Sequence, residues 1–216
     1  YASYVETEFG QLEIPCFLDR TRGIVLNPMI EYIKSALQLY IRDFSYDTVF
    51  HFLRSGMADI SREEIDELEN YVIRTGARGY RTYSRLFTRK TEEMQQGSGQ
   101  EDTERAEETM ERLNRIRQQF TDTVEILHMA PRAKAGEYVD HLYDFLEQNQ
   151  VQQKLLNYQQ WFEQEGDLAK AREYAQIYRL VMDLLDQIYE LLGEEEISLQ
   201  EFADILEAGF GDITVG

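Results

Sequence analysis

The chain has 216 residues, 43% of them hydrophobic, which is enough to bury one core or two small ones. Its single cysteine, Cys16, excludes an intrachain disulfide framework, a cysteine-rich zinc site and an iron–sulfur cluster, and suits a reducing cytoplasm. The charge is uneven: residues 1–90 contain 12 basic and 13 acidic side chains, residues 91–216 contain 10 and 28, and the net charge is −19.

The first helices are marked by their caps. The dipeptide Asn27-Pro28 predicts a helix start, because Asn caps a helix and Pro suits its first position. Apolar residues then recur at helical spacing to about Arg42. Ser45 or Asp47 can cap the next helix, and Gly56 ends it.

A capping box predicts the third helix. Residues Ser61–Glu64 provide the box, and an apolar stripe follows up to Gly76. Beyond Gly79, a short helix is expected over Tyr80–Phe87. The polar residues 91–103 coincide with the change in charge and read as a flexible linker.

The acidic second part predicts further helices. They are expected at about 104–129, around 138–146, from 151 to Gly166, over 168–192, and from the capping box at Ser198 to Gly209. We therefore predict an all-α protein, an irregular multi-helix bundle in two helical parts. Residues 1–90 form the first part, 91–103 the linker and 104–216 the second. Short strands are expected only near the termini, at Ile14–Leu18 and Ile213–Gly216.

Targeting signals do not stand out. The first residues contain neither a basic region nor an apolar run, and no stretch approaches the roughly 18 apolar residues of a membrane span. We expect a soluble, cytoplasmic, monomeric chain with no membrane contact. Because it lacks an initiator Met, we also expect it to be a piece of a larger protein.

The usual signatures of chemistry are missing from the sequence. No glycine-rich phosphate loop with Lys-Ser or Lys-Thr is present, and His51, His128 and His141 lie far apart without metal-binding spacing. The residues after Gly193 fail as a calcium loop, because the required oxygen ligands are absent. We predict no catalytic, cofactor-binding or metal-binding residue, and no enzyme activity for this chain.

One segment does suggest binding. Between Val72 and Thr91 there are six basic residues and no acidic one. Four of them form what we call the basic strip: Arg78, Arg81, Arg85 and Arg89. In a helix from Tyr80, three of these arginines would share one face, with Tyr80 and Tyr83 among them. Arginine contacts phosphate, and aromatic rings stack on bases. The candidate nucleic-acid site therefore consists of the four arginines of the basic strip together with Tyr80 and Tyr83.

Two alternatives stay open for this segment. The arginines could instead pair with carboxylates of the acidic second part, leaving the aromatic rings in the core. The chain would then be an acidic protein–protein interaction module with no DNA contact. Exposed arginines would favour the first interpretation, and arginines buried against carboxylates would favour the second.

Several motifs resemble the AddB family of helicase–nuclease subunits. They are Glu13–Asp19 followed by Asn27-Pro28, Tyr46–Phe50 with Arg54–Gly56, Ile65–Val72 followed by Thr75–Gly79, and Gly193–Phe210. The Leu-Glu-Asn-Tyr run at Leu68–Tyr71 is the most specific, and the linker region and most of residues 104–165 match in helical character alone.

The resemblance implies a role in a larger machine. AddB is a subunit of an ATP-dependent helicase/deoxyribonuclease that processes double-strand breaks for recombinational DNA repair. The resemblance also implies that this segment sits where UvrD-type helicases carry their inserted helical subdomain of the 2B type. The resemblance thus implies an AddA-like partner subunit, duplex or forked DNA in the parent complex, and a non-catalytic positioning role for this segment. The family's nuclease motif and iron–sulfur cysteines have no counterpart here.

Overall fold

The computed structural model describes residues 22–23, 26–96 and 99–215. The α-helices of this part are α1 (Pro28–Ile41), α2 (Tyr46–Leu53), α3 (Arg62–Thr75), α4 (Tyr80–Tyr83), α5 (Glu92–Gln96), α6 (Gln100–Val124), α7 (Ala135–Gln148), α8 (Val151–Gln164), α9 (Leu168–Leu192) and α10 (Leu199–Asp212). The strands are β1 (Arg22–Gly23), β2 (Arg132–Lys134), β3 (Glu196–Ser198) and β4 (Thr214–Val215). The predicted all-α, irregular helical bundle is confirmed. The expected strand at Ile14–Leu18 lies outside the described residues.

The predicted caps set the helix boundaries. The Asn27 side chain accepts a hydrogen bond from the Met29 N–H at 3.0 Å, which satisfies one of the free donors at the start of α1. Ser61 and Ser198 form complete capping boxes at α3 and α10. Gly76 ends α3 with a φ of 66°, a left-handed conformation that favours glycine.

The core is built around α1. This helix packs against α2 and α10, and most of its apolar side chains are fully buried. Its Tyr32 ring stacks between Phe52 of α2 and Phe145 of α7, with both pairs of centroids 5.0 Å apart. Helices α8 and α9 form a hairpin whose connecting end lies at the surface.

One local prediction is wrong. A short antiparallel pair, β2 with β3, lies inside the chain, where no strand was expected, and Ala133 is opposite Ile197. Three-residue strands are too short to show an alternating pattern, so only the tertiary contact reveals them. The segment predicted as a linker contains α5 and the first turn of α6, because Gly99 and Asp102 provide a helix start.

The predicted division into two parts has no direct test, and it stays a prediction. Helices from both sides of the proposed linker contribute to one cluster of buried apolar side chains. Helix α3 packs on α6, and α1 packs on α10. Among the described residues, no helix combines the length and apolar character that crossing a membrane requires.

Candidate nucleic-acid interface

The basic strip begins in a turn set by two glycines. After Gly76 ends α3, Gly79 adopts a φ of +83°, and its N–H donates to the Phe44 carbonyl at 3.3 Å. The next N–H, that of Tyr80, donates to Asp43 Oδ1 at 2.8 Å. A methyl group at Gly79 would lie 3.2 Å from Asp43 Oδ2. The start of the strip is therefore fastened to the turn that follows α1.

The predicted helix over Tyr80–Phe87 is wrong beyond Tyr83. Helix α4 has four residues, and positions 86–91 have no regular secondary structure. Arg81, Arg85 and Arg89 therefore do not share a helix face. The physical reason is that backbone groups of this stretch bond to side chains of α3 and α6, which compete with the helical i to i+4 bonds.

Two side chains of α6 hold the middle of the strip. Asn114 accepts a hydrogen bond from the Phe87 N–H at 2.7 Å and donates to the Phe87 carbonyl at 3.0 Å. Arg117, only 3% exposed, donates to the Tyr83 carbonyl at 2.7 Å. These bonds satisfy polar backbone groups that an irregular segment would otherwise leave unpaired.

Helix α3 holds the end of the strip. The Tyr71 hydroxyl donates to the Arg89 carbonyl at 3.0 Å. In return, Arg89 Nη1 donates to the Thr75 carbonyl at 2.7 Å. Arg89 thus serves partly as a structural tie, although its side chain remains exposed.

The four arginines border one surface concavity of about 580 Å³. Its lining is Tyr71, Thr75, Gly76, Ala77, Arg78, Arg81, Thr82, Arg85, Leu86, Phe87, Thr88 and Arg89. None of these residues is acidic, and two are threonines with exposed positions beside the arginines. The irregular backbone therefore places the four arginines around one concavity, whereas a helix would have aligned them along one face.

Three of these arginines have exposed, unpaired side chains within the described part of the chain. Arg78, Arg81 and Arg85 lie at the surface, and within residues 22–23, 26–96 and 99–215 none has a side-chain hydrogen bond or ion pair. Other arginines are paired: Arg54 bonds to Glu69 at 2.7 Å, and Arg112 bonds to Glu67 at 2.7 Å. None of the residues that line the concavity supplies a carboxylate to Arg78, Arg81 or Arg85.

The two tyrosines occupy different surroundings from the arginines. Tyr83 is fully buried, and burial raises the pKa of its hydroxyl. The Tyr80 hydroxyl donates to Glu125, its ring lies 4.2 Å from the His128 ring, and burial with this carboxylate raises its pKa to about 12. The Tyr83 ring has no face open to a base, and the Tyr80 ring already has a neighbour.

The histidines remain separate in the fold. His51 lies 3.2 Å from Glu31, His128 packs on Tyr80, and His141 contacts a backbone carbonyl. Within the part of the chain that the structure describes, no group of His, Cys, Asp and Glu is arranged to hold a metal ion.

Asn114 and Arg117 were missed from the sequence. The apolar stripe of α6 includes Leu113, Phe120 and Val124, and steps of four and three from Leu113 lead through position 117. An arginine on this buried stripe could therefore have been recognised in the sequence as a residue with a specific partner, since arginine is rarely buried without one. Asn114 gave no comparable signal, because its role depends on the distant residue Phe87.

Comparison with known proteins gives this all-α segment its context. No family model matches the chain. Curated relatives align over its whole length, and their names describe the AddB-type subunit of an ATP-dependent helicase/deoxyribonuclease. The protein of Clostridium botulinum (strain Langeland) is 37% identical over 219 residues, that of Lachnoclostridium phytofermentans 34% over 223, and that of Acetivibrio thermocellus 36% over 222.

The similarity concerns one segment of a longer protein. The chain spans 19%, 18% and 19% of these three relatives, or about a fifth of their length. The resemblance to AddB predicted from the motifs is therefore confirmed. The chain is similar to a segment of this helicase/deoxyribonuclease component, and the aligned region includes the basic strip.

Proposed function

We propose that the chain is a non-catalytic segment of an AddB-type helicase–nuclease subunit that helps to position DNA. The parent would act in double-strand break processing and recombinational DNA repair, in the cytoplasm and beside an AddA-like subunit. The supporting observation is a concavity bordered by Arg78, Arg81 and Arg85, which lie at the surface and are unpaired within the described residues. We assign helicase and nuclease chemistry to the other four-fifths of such a parent.

Electrostatics supports a DNA contact at this surface. In a chain of net charge −19, a concavity bordered by arginines and free of acidic residues attracts phosphate, and the guanidinium group matches phosphate geometry. The acidic remainder of the surface would repel a DNA backbone within about one Debye length, roughly 8–10 Å at physiological salt. Attraction at the strip and repulsion elsewhere would restrict how duplex or forked DNA approaches.

The proposed contact is to the backbone of DNA. The Tyr83 ring is buried and the Tyr80 hydroxyl is bound to Glu125, so base stacking on these rings has little support. Arginine and threonine side chains around the concavity suit phosphate oxygens, which carry no sequence information. We therefore propose sequence-independent binding.

The test is binding of the 216-residue chain to a labelled forked duplex across a salt series. The variant Arg78→Ala/Arg81→Ala/Arg85→Ala removes three charges whose side chains have no other partner in the described part, so the fold should survive. Affinity should fall, and the slope of log K against log salt should become less negative by up to about 2.7, since each phosphate contact contributes about 0.9.

A matched control separates local from overall charge. The variant Arg62→Ala/Arg172→Ala/Arg179→Ala removes the same charge from positions on α3 and α9, away from the strip. It should bind DNA with nearly the native slope. Equal losses of DNA affinity in both variants would show that only net charge matters. If the native chain does not bind DNA even at low salt, the proposal is refuted.

The second candidate is a protein–protein interaction module, and one observation favours it. Trp161 and Leu168, beside the connection between α8 and α9, are 52% and 60% exposed. Exposed large apolar side chains are frequent at protein interfaces. If the native chain fails to bind DNA, a partner protein is the expected ligand, and Trp161→Ala should weaken that association.

A further inference from the structure

We infer that Asn114 and Arg117 of α6 are positioning residues for the basic strip. Neither side chain belongs to the concavity itself. Both bond to the backbone on either side of Arg85 and so fix the segment from which the Arg85 side chain projects. This inference rests on the proposed DNA contact, and it extends that proposal to residues that would not touch DNA.

Asn114 replaces the helical bonds that Phe87 lacks. Its Oδ1 accepts from the Phe87 N–H at 2.7 Å, and its Nδ2 donates to the Phe87 carbonyl at 3.0 Å. The same Nδ2 donates to the Met110 carbonyl at 3.0 Å, so the amide group is held within its own helix. One planar side chain therefore fixes both backbone polar groups of Phe87 relative to α6.

Arg117 is a buried cation that has no direct carboxylate partner among the described residues. Each of its three nitrogen atoms donates to a neutral oxygen: Nη1 to the Tyr83 carbonyl at 2.7 Å, Nη2 to Gln118 Oε1 at 2.7 Å and Nε to Asn114 Oδ1 at 3.3 Å. Gln118 in turn donates to Asp122, so Gln118 links Arg117 to this carboxylate. Burial lowers the pKa of Arg117, and Asp122 opposes this effect.

The lack of an acidic partner in the described part of the chain points to a specific role for Arg117, because the chain has 41 acidic residues that could have paired with a buried arginine. A buried arginine normally requires such a partner. The rigid fork of the guanidinium group instead joins the strip to Asn114, a geometry that lysine cannot reproduce. Phe87 and Tyr83 anchor the segment on each side of Arg85, and the Arg85 side chain is exposed to solvent.

The experiment compares three variants of the 216-residue chain. Asn114→Ala removes the bonds to Phe87, and Arg117→Lys keeps the charge but loses the fork. Asn149→Ala is the matched control, because this asparagine is 8% exposed and bonds to the carbonyls of Thr123 and Phe145, outside the strip. The readouts are affinity for a forked duplex across a salt series and amide hydrogen exchange of residues 83–89.

We expect Asn114→Ala to lose affinity about fivefold at roughly 0.15 M salt for each phosphate contact disturbed, with a shallower salt slope. Arg117→Lys should lose less, and Asn149→Ala should bind like the native chain after a similar loss of stability. Exchange at residues 83–89 should accelerate in the first two variants alone.

Other results would overturn the inference. A salt dependence of DNA affinity equal to that of the native chain in both Asn114→Ala and Arg117→Lys would do so. Equal losses of DNA affinity in all three variants would also do so, because they would indicate a general effect of stability. If the native chain does not bind DNA, the proposed function fails by itself. Exchange then decides the positioning role, and unchanged protection at residues 83–89 in Asn114→Ala would reject it.

Discussion

At the residue scale, burial separates the aromatic part of the candidate site from its arginines. The sequence predicted that Tyr80 and Tyr83 would lie among the arginines, and both do lie beside them along the chain. Spacing alone could not show that the Tyr83 ring points inward, against Phe44 and Phe120. The arginines could be predicted from composition, because an acid-free window implies charge whatever the local backbone conformation.

Removal of the Tyr83 hydroxyl should not destabilise the protein. This hydroxyl is buried and has no hydrogen-bond partner among the described residues. An unsatisfied buried hydroxyl costs free energy, so Tyr83→Phe should leave the free energy of unfolding unchanged or raise it by about 1 kcal/mol. Urea denaturation measures the change, and DNA affinity should stay at its native value.

Tyr40→Phe provides the contrast. The Tyr40 hydroxyl donates to the Val124 carbonyl at 2.7 Å, so its removal should lower the free energy of unfolding by about 1 kcal/mol. A comparable loss in Tyr83→Phe would mean that the Tyr83 hydroxyl has a partner in solution.

At the element scale, the long helices were predictable because their signals are local. Caps at Asn27, Ser61 and Ser198 and glycine stops act within one helical turn, so a linear pattern contains them. The end of α4 and the pairing of β2 with β3 depend on contacts across tens of residues. No periodicity in the chain records those contacts.

The capping box of α3 should give part of the stability a defined pH dependence. Hydrogen bonds from the backbone and hydroxyl of Ser61 lower the pKa of Glu64 below its usual value of 4.5. Because the folded pKa is lowered, the stabilisation is complete above pH of about 4.5 and disappears as the pH falls through the folded pKa. Glu64→Gln should therefore be less stable than the native chain at neutral pH and similar to it at acidic pH.

The second box allows a check of this sign. Glu201 receives the equivalent bonds from Ser198, which lower its pKa in the same way. Glu201→Gln should reproduce the profile in urea denaturation between about pH 3 and pH 7. A destabilisation that persists unchanged at the acidic end would show that the charge of the carboxylate is not involved.

At the scale of the whole molecule, contacts cross the proposed linker in several places. Lys154 of α8 donates to the Met57 carbonyl at 2.8 Å, and the Tyr158 hydroxyl donates to the Gly56 carbonyl at 2.9 Å. Phe120 of α6 lies against Phe44, Phe52 and Tyr83, all from the first part. The uneven charge that suggested two parts is a property of the surface, and the apolar core is shared by both.

A shared core predicts that the chain unfolds as one unit. Circular dichroism and the fluorescence of Trp161, which lies in the acidic part, should report the same thermal midpoint, and the calorimetric and van't Hoff enthalpies should agree. Phe120→Ala should cost about 3–5 kcal/mol and lower both midpoints together, since this fully buried ring joins the two parts. Two separate transitions, of which Phe120→Ala shifts only one, would instead establish the division near residues 91–103. The basic strip would then belong to a unit that folds without the acidic helices, although α6 supplies its anchoring side chains Asn114 and Arg117.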